Sequence, residues 1–122
     1  MMNKVAATIL VASLAAAAQA APAQTRTDPL AAQAIERGDY AKAERRLIAE
    51  RRIFPNRPEI LLNLAAVYAQ TDRANEARAL YQQVLANEDV LMDLSAERTA
   101  SAHAIAETGL RQLDIRTHVA RN

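Results

Sequence analysis

The stretch from Pro58 to Asp89, PEILLNLAAVYAQTDRANEARALYQQVLANED, constrains the fold more than any other part of the chain. Leu61, Leu64, Ala65 and Tyr68 recur at intervals of three and four residues, as do Ala77, Tyr81, Val84 and Leu85. That period puts each set on one face of a helix. Between them Thr71-Asp72-Arg73 is short and polar, and Asp72 tolerates turn geometry and can cap the helix that follows. The predicted unit is a helical hairpin whose second helix runs from about Ala74 to Ala86.

A weaker copy precedes it at a spacing of 34 residues. Gly38 aligns with Asp72, Ala43 with Ala77, Leu47 with Tyr81 and Pro55 with Asp89. The pattern resembles the tetratricopeptide repeat (TPR), in which a large residue, a Leu, a small residue and an aromatic on one helix meet a small residue and an aromatic on the next. Leu61 stands where that family usually has Trp. The first copy carries the Gly38-Asp39-Tyr40-x-x-Ala43 turn, but Ala34 replaces the aromatic, and Glu50 and Arg51 hold sites that are usually apolar. The resemblance implies an all-α fold of two TPR-like hairpins, at about 24–57 and 58–91, stacked as a short right-handed solenoid with a C-terminal capping helix. It also implies protein binding, without naming a partner or a reaction.

Local signals set the expected boundaries. Asp28 caps a first helix that opens on Pro29 and ends at Gly38, whose missing Cβ suits a left-handed residue. Asp39 caps the next helix, about Tyr40 to Arg52. Asn56 and Glu59 have the spacing of a capping box. Beyond Asn87 the 34-residue pattern fails, since it would place Arg111 at a tightly packed position. Val90, Leu91 and Leu94 read as an apolar connector and Ser95 as the cap of a helix over about 95–115. Its stripe is Ala102, Ile105, Ala106, Gly109, Leu110 and Leu113. One helix with a close-packed Gly109 is the expectation, and a break at Gly109 is the rival. Residues 117–122 are expected to fray, which leaves 27–116 as a single domain. Because repeat folds usually need about three units, the last helix should cover the helix at 74–86, with self-association completing any shortfall.

The amino terminus has a different character. Lys4 precedes an apolar run from Val5 to Ala18 that ends Ala18-Gln19-Ala20, the arrangement of a secretory signal peptide. Cleavage is expected after Ala20, with Ala23 as the alternative and an uncleaved anchor as the rival. Residues 21–26 form a flexible leader, and the mature chain, without a membrane span, is periplasmic or secreted. There is no Cys, hence no lipid-acceptor thiol and no disulfide, and packing alone must hold the fold. Removing residues 1–20 leaves 14 basic and 14 acidic side chains. That neutrality argues against nucleic-acid binding.

Little in the sequence points to catalysis: no Gly-rich phosphate loop, no Ser nucleophile motif and only two His residues. His103 and Glu107 share a helix face but supply two ligands where zinc takes three or four. No catalytic, metal or cofactor residue is expected. Residues 24–57 carry eight basic and five acidic side chains, and residues 58–91 two and five, a dipole that can orient an acidic partner or a second copy. Asn63 matches the clamp Asn with which some TPR domains hold a partner's carboxylate, but cationic neighbours are missing at Asp28, Ala32, Ala96 and Ala100, so no clamp is expected. In the family's geometry the groove side of the 58–70 helix comprises Glu59, Leu62, Asn63, Ala66 and Gln70, a surface suited to a peptide or amphipathic helix. The expected function is a non-enzymatic adaptor of the bacterial cell envelope that binds an unidentified protein there. The alternative is a homodimer in which the chain's own copy fills the groove.

Overall fold

The computed structural model describes residues 29–95 and 98–122. The signal peptide, the leader and the Asp28 cap lie outside those residues. In chain order the elements are α1 (Pro29–Glu36), α2 (Tyr40–Ile53), α3 (Pro58–Gln70), α4 (Ala74–Ala86), β1 (Leu91–Ser95), β2 (Arg98–Ser101) and α5 (Ala102–Arg121). Each helix packs on its neighbour in sequence, and α5 reaches back to α3 as well as α4.

The 34-residue period is written into the backbone. Gly38 and Asp72 both have positive φ, 76° and 59°, and each turn is closed by a hydrogen bond spanning five residues. In the first, Asp39 N–H donates to the Ala34 carbonyl at 2.8 Å, and in the second Arg73 N–H donates to the Tyr68 carbonyl at 2.9 Å. A left-handed residue lets the chain reverse while the last helical carbonyls find donors. Gly38 adopts this conformation without a Cβ penalty. Asp72 adopts it as one of the few other residue types that tolerate it.

Among α2, α3 and α4, capping follows the sequence at one helix and departs from it at two. The Asp39 carboxylate accepts from Lys42 N–H at 3.2 Å, as expected. The N-cap of α3 is Arg57, without a side-chain bond; Asn56 instead accepts from the Gln83 amide on α4 at 3.2 Å. Pro58 at the first helical position lacks the N–H that a capping side chain would otherwise serve nearby. Likewise α4 starts from Arg73 and not from a capping Asp72, because Asp72 is committed to the turn.

The region between α4 and α5 corrects the sequence reading. β1 and β2 pair antiparallel, Leu91 with Ser101, Met92 with Ala100 and Asp93 with Thr99, so the helix expected from Ser95 begins at Ala102. Asp89 explains the later start. Its carboxylate accepts from Ser101 Oγ at 2.7 Å and from His103 N–H at 3.0 Å, while Ser101 Oγ caps the helix by accepting from Ala104 N–H at 3.1 Å. Ala102 N–H also bonds the Val90 carbonyl at 2.8 Å. These long-range bonds fix the helix start in a way no local capping signal reveals. At the other end α5 runs to Arg121, through the tail expected to fray. Arg116 donates to the Ala69 carbonyl at 3.2 Å and Thr117 Oγ1 to the Leu113 carbonyl at 2.8 Å.

Small residues set the spacing of the core. Ala43, Ala65, Ala77, Ala102 and Ala106 are fully buried beside Leu47, Ile60, Leu61, Leu64 and Val67, and methyl side chains let helix backbones approach closely. Gly109 extends this principle. α5 passes through it unbroken, and a Cβ there would lie within 3.0 Å of three carbons of the Tyr81 ring. The ring of α4 therefore rests on the α5 backbone, a contact that only Gly permits.

Candidate partner-binding surface

α3 carries the expected groove residues, and its surroundings decide which of them are reachable. α2, α4 and α5 all pack on it, and seven of its 13 residues are buried. Glu59 and Leu62 are each 5% exposed, Asn63 and Ala66 are half-buried, and Gln70 is exposed. The strip is thus accessible only from Asn63 through Ala66 to Gln70. Glu59 and Leu62 belong to the packed part of the helix and drop out of the reachable surface.

Glu59 is an unusual occupant of that packed end. Its Oε2 is buried without a hydrogen-bond partner among the described residues. Burial pushes its carboxyl above the usual glutamate range, against smaller opposing effects of the backbone N–H and the Arg57 charge. A desolvated carboxylate favours the neutral form.

The other end of α3 is braced by a polar cluster. Arg73 holds the Glu44 carboxylate of α2 through two bonds, at 2.5 and 2.9 Å. Its guanidinium also donates to Thr71 Oγ1 from Nε at 3.1 Å and Nη2 at 3.0 Å, and lies 4.4 Å from the centre of the Tyr68 ring. The Arg73 hydrogen bond, with its charge, holds the Glu44 carboxyl below the usual carboxylate range. A bidentate pair fixes direction as well as distance. It ties the first hairpin to the turn of the second, and so sets the position of the exposed end of α3.

Beside this end lies a cleft of about 370 Å³ between the α3–α4 turn and the last turns of α5. Ala69, Leu113 and Ala120 give it apolar walls, and Asp72, Arg116 and Arg121 give it charge. Sequence reasoning missed Arg116, Ala120 and Arg121 because the end of the chain reads as polar and unstructured. The helical spacing of Leu113, Thr117 and Ala120 is the signal that continues the stripe into it.

His103 Nε2 contacts the Asn87 carbonyl oxygen at 2.8 Å, and Glu107 is exposed. Among the described residues no three His, Cys, Asp or Glu side chains converge as metal ligands, and no helix is long and apolar enough to cross a membrane.

Comparison with known proteins bears on the helical hairpins. Residues 34–90, from the last turn of α1 to the residue before β1, match the family model described as tetratricopeptide repeat. No curated protein and no solved structure matches the chain. Such repeats are protein-interaction modules and are typically without enzymatic activity. The match over residues 34–90 supports placing the chain among tetratricopeptide repeat proteins.

Proposed function

We propose that the protein is an exported, non-enzymatic adaptor of the bacterial cell envelope that binds a peptide or helix of another protein. Its two hairpins stack as a short right-handed solenoid. The binding surface is the open end of α3, Asn63, Ala66 and Gln70, together with the adjoining cleft. The observation that supports this reading most is the coincidence of a repeat built for protein binding with an accessible, mildly apolar flank next to that cleft. Arg116 and Arg121 at the cleft favour a segment that carries a carboxylate beside a small apolar side chain.

Affinity capture from an envelope extract tests the surface, with the wild-type chain compared with Ala66→Glu and with Gln70→Arg. Both substitutions leave the buried part of α3 untouched. A partner retained by the wild type and lost with the variants supports the reading, and identical partner sets overturn it. Export is tested by sequencing the amino terminus of the protein recovered from the periplasm, where Ala21 is the expected first residue.

Self-association is a second reading, favoured by one observation. Ile115 and Val119 lie one turn apart on α5 and are 64% and 68% exposed, an apolar pair that a second copy would cover. A mass independent of concentration, equal to one chain, removes it.

A further inference from the structure

α2 presents a surface unrelated to the α3 strip and independent of the partner reading. Lys42, Arg45, Arg46, Ala49, Arg52 and Ile53 fall within about a third of the helix circumference. All of them except Arg46 are exposed, while the opposite face buries Ala43 and Leu47. The face runs about 16 Å at the helical rise per residue. At its end Ile53 is 69% exposed and Phe54 43%, and the Arg57 guanidinium lies 3.8 Å from the centre of the Phe54 ring. Residues 40–57 hold six basic and two acidic side chains. Of the acids, Glu44 is neutralised by Arg73, and Glu50 lies off this face at a half-buried position.

Two adjacent large apolar side chains exposed at the end of a cationic face are costly to leave in water. A peptide segment fits best into a concavity. The cleft described above lies elsewhere, at Leu113 and Arg116. A bilayer of anionic lipid suits an exposed apolar pair set beside a row of cations, because its acyl boundary takes the apolar tip while its phosphates meet the surrounding cations. Arginine keeps its charge at every working pH, and Arg57 stacked on Phe54 keeps a cation at headgroup level beside the inserted ring. We propose that the basic face of α2, with Ile53 and Phe54 at its tip, docks the protein on an anionic phospholipid surface.

The chain contains no Trp, so Phe54→Trp in the full chain places a single fluorescent reporter at the tip. On phosphatidylglycerol vesicles its emission should shift to the blue and be quenched by brominated acyl chains. Phosphatidylcholine vesicles should leave it unchanged. Each basic residue lost near an anionic surface lowers partitioning about fivefold, so adding Arg45→Glu and Arg52→Glu should lower it by at least about 25-fold. Both sites are exposed, and circular dichroism verifies that the fold is kept. Ile53→Ser, also exposed, should weaken binding without altering charge. The reporter separates docking by α2 from insertion of the apolar run at 5–18, which would sediment the protein without shifting emission at position 54. Unchanged emission on phosphatidylglycerol, or an equal shift on phosphatidylcholine, overturns the proposal. A shift produced by polyglutamate and not by vesicles also overturns it, and assigns the face to an acidic protein.

Discussion

Replacing Gly109 by Ala puts helix propensity and packing in direct opposition. Propensity alone favours Ala inside a helix by about 1 kcal/mol, so at an open site α5 would be strengthened. The structure reverses the sign, because the new Cβ would lie within 3.0 Å of three carbons of the Tyr81 ring. That ring is 7% exposed and rigid, so relief requires α4 and α5 to separate. Overpacking of this kind costs about 1–3 kcal/mol, which leaves a net loss of about 1 kcal/mol. For a domain of this size that lowers the melting temperature by about 4–8 °C. Urea denaturation followed by circular dichroism measures the loss as a lower midpoint at unchanged slope. In a Tyr81→Leu background, where the ring is gone, the same Gly109→Ala change should stabilise by about 0.5–1 kcal/mol. A stabilising Gly109→Ala in the wild-type background would refute the ring-on-backbone contact.

Three further outcomes follow from single contacts. Glu59→Gln should stabilise the domain at neutral pH by about 1 kcal/mol, since it removes a desolvated carboxylate with an unpartnered oxygen. The folded carboxyl is raised, so the wild type bears no penalty below the ordinary glutamate value of about 4.3. The penalty grows as pH rises through the folded value and is complete above it, so melting curves of the two proteins should converge in acid and separate towards neutrality. Ser101→Ala removes the α5 cap and should cost about 0.5–2 kcal/mol in urea denaturation. Asp72→Gly relieves a side chain held at φ 59° and should gain about 1 kcal/mol, read as a higher melting temperature.

The parts of the fold that were legible are those fixed by neighbours in sequence. The spacing between Gly38 and Asp72 foretold two turns, the first of them left-handed at Gly38, and the apolar stripes located α2, α3 and α4 to within about a residue. Residues 91–101 were misread because Ser95 before a helical stripe is a sound local cap. The competing order comes from Asp89, which reaches 12 and 14 residues along the chain to Ser101 and His103. Met92 and Leu94 do alternate with polar residues, a strand signal too short to prevail alone. The proposed strip is one face of α3, and how much of it is reachable was not legible in the sequence. Packing of α2, α4 and α5 on α3 leaves Gln70 open while Glu59 and Leu62 are buried, and such packing leaves no mark in the local sequence. The same holds for Arg116, whose partner is the carbonyl of Ala69.

The claim that matters most is that the open end of α3 meets another protein. A photo-crosslinking residue at position 70, in the full chain expressed in its own cells, reads this directly, with the exposed position of Glu107 as reference. The account predicts a discrete adduct from position 70, heavier than the chain by the mass of a different protein, and no such adduct from position 107. An absence of adducts from position 70, or the same adducts from both positions, would contradict it.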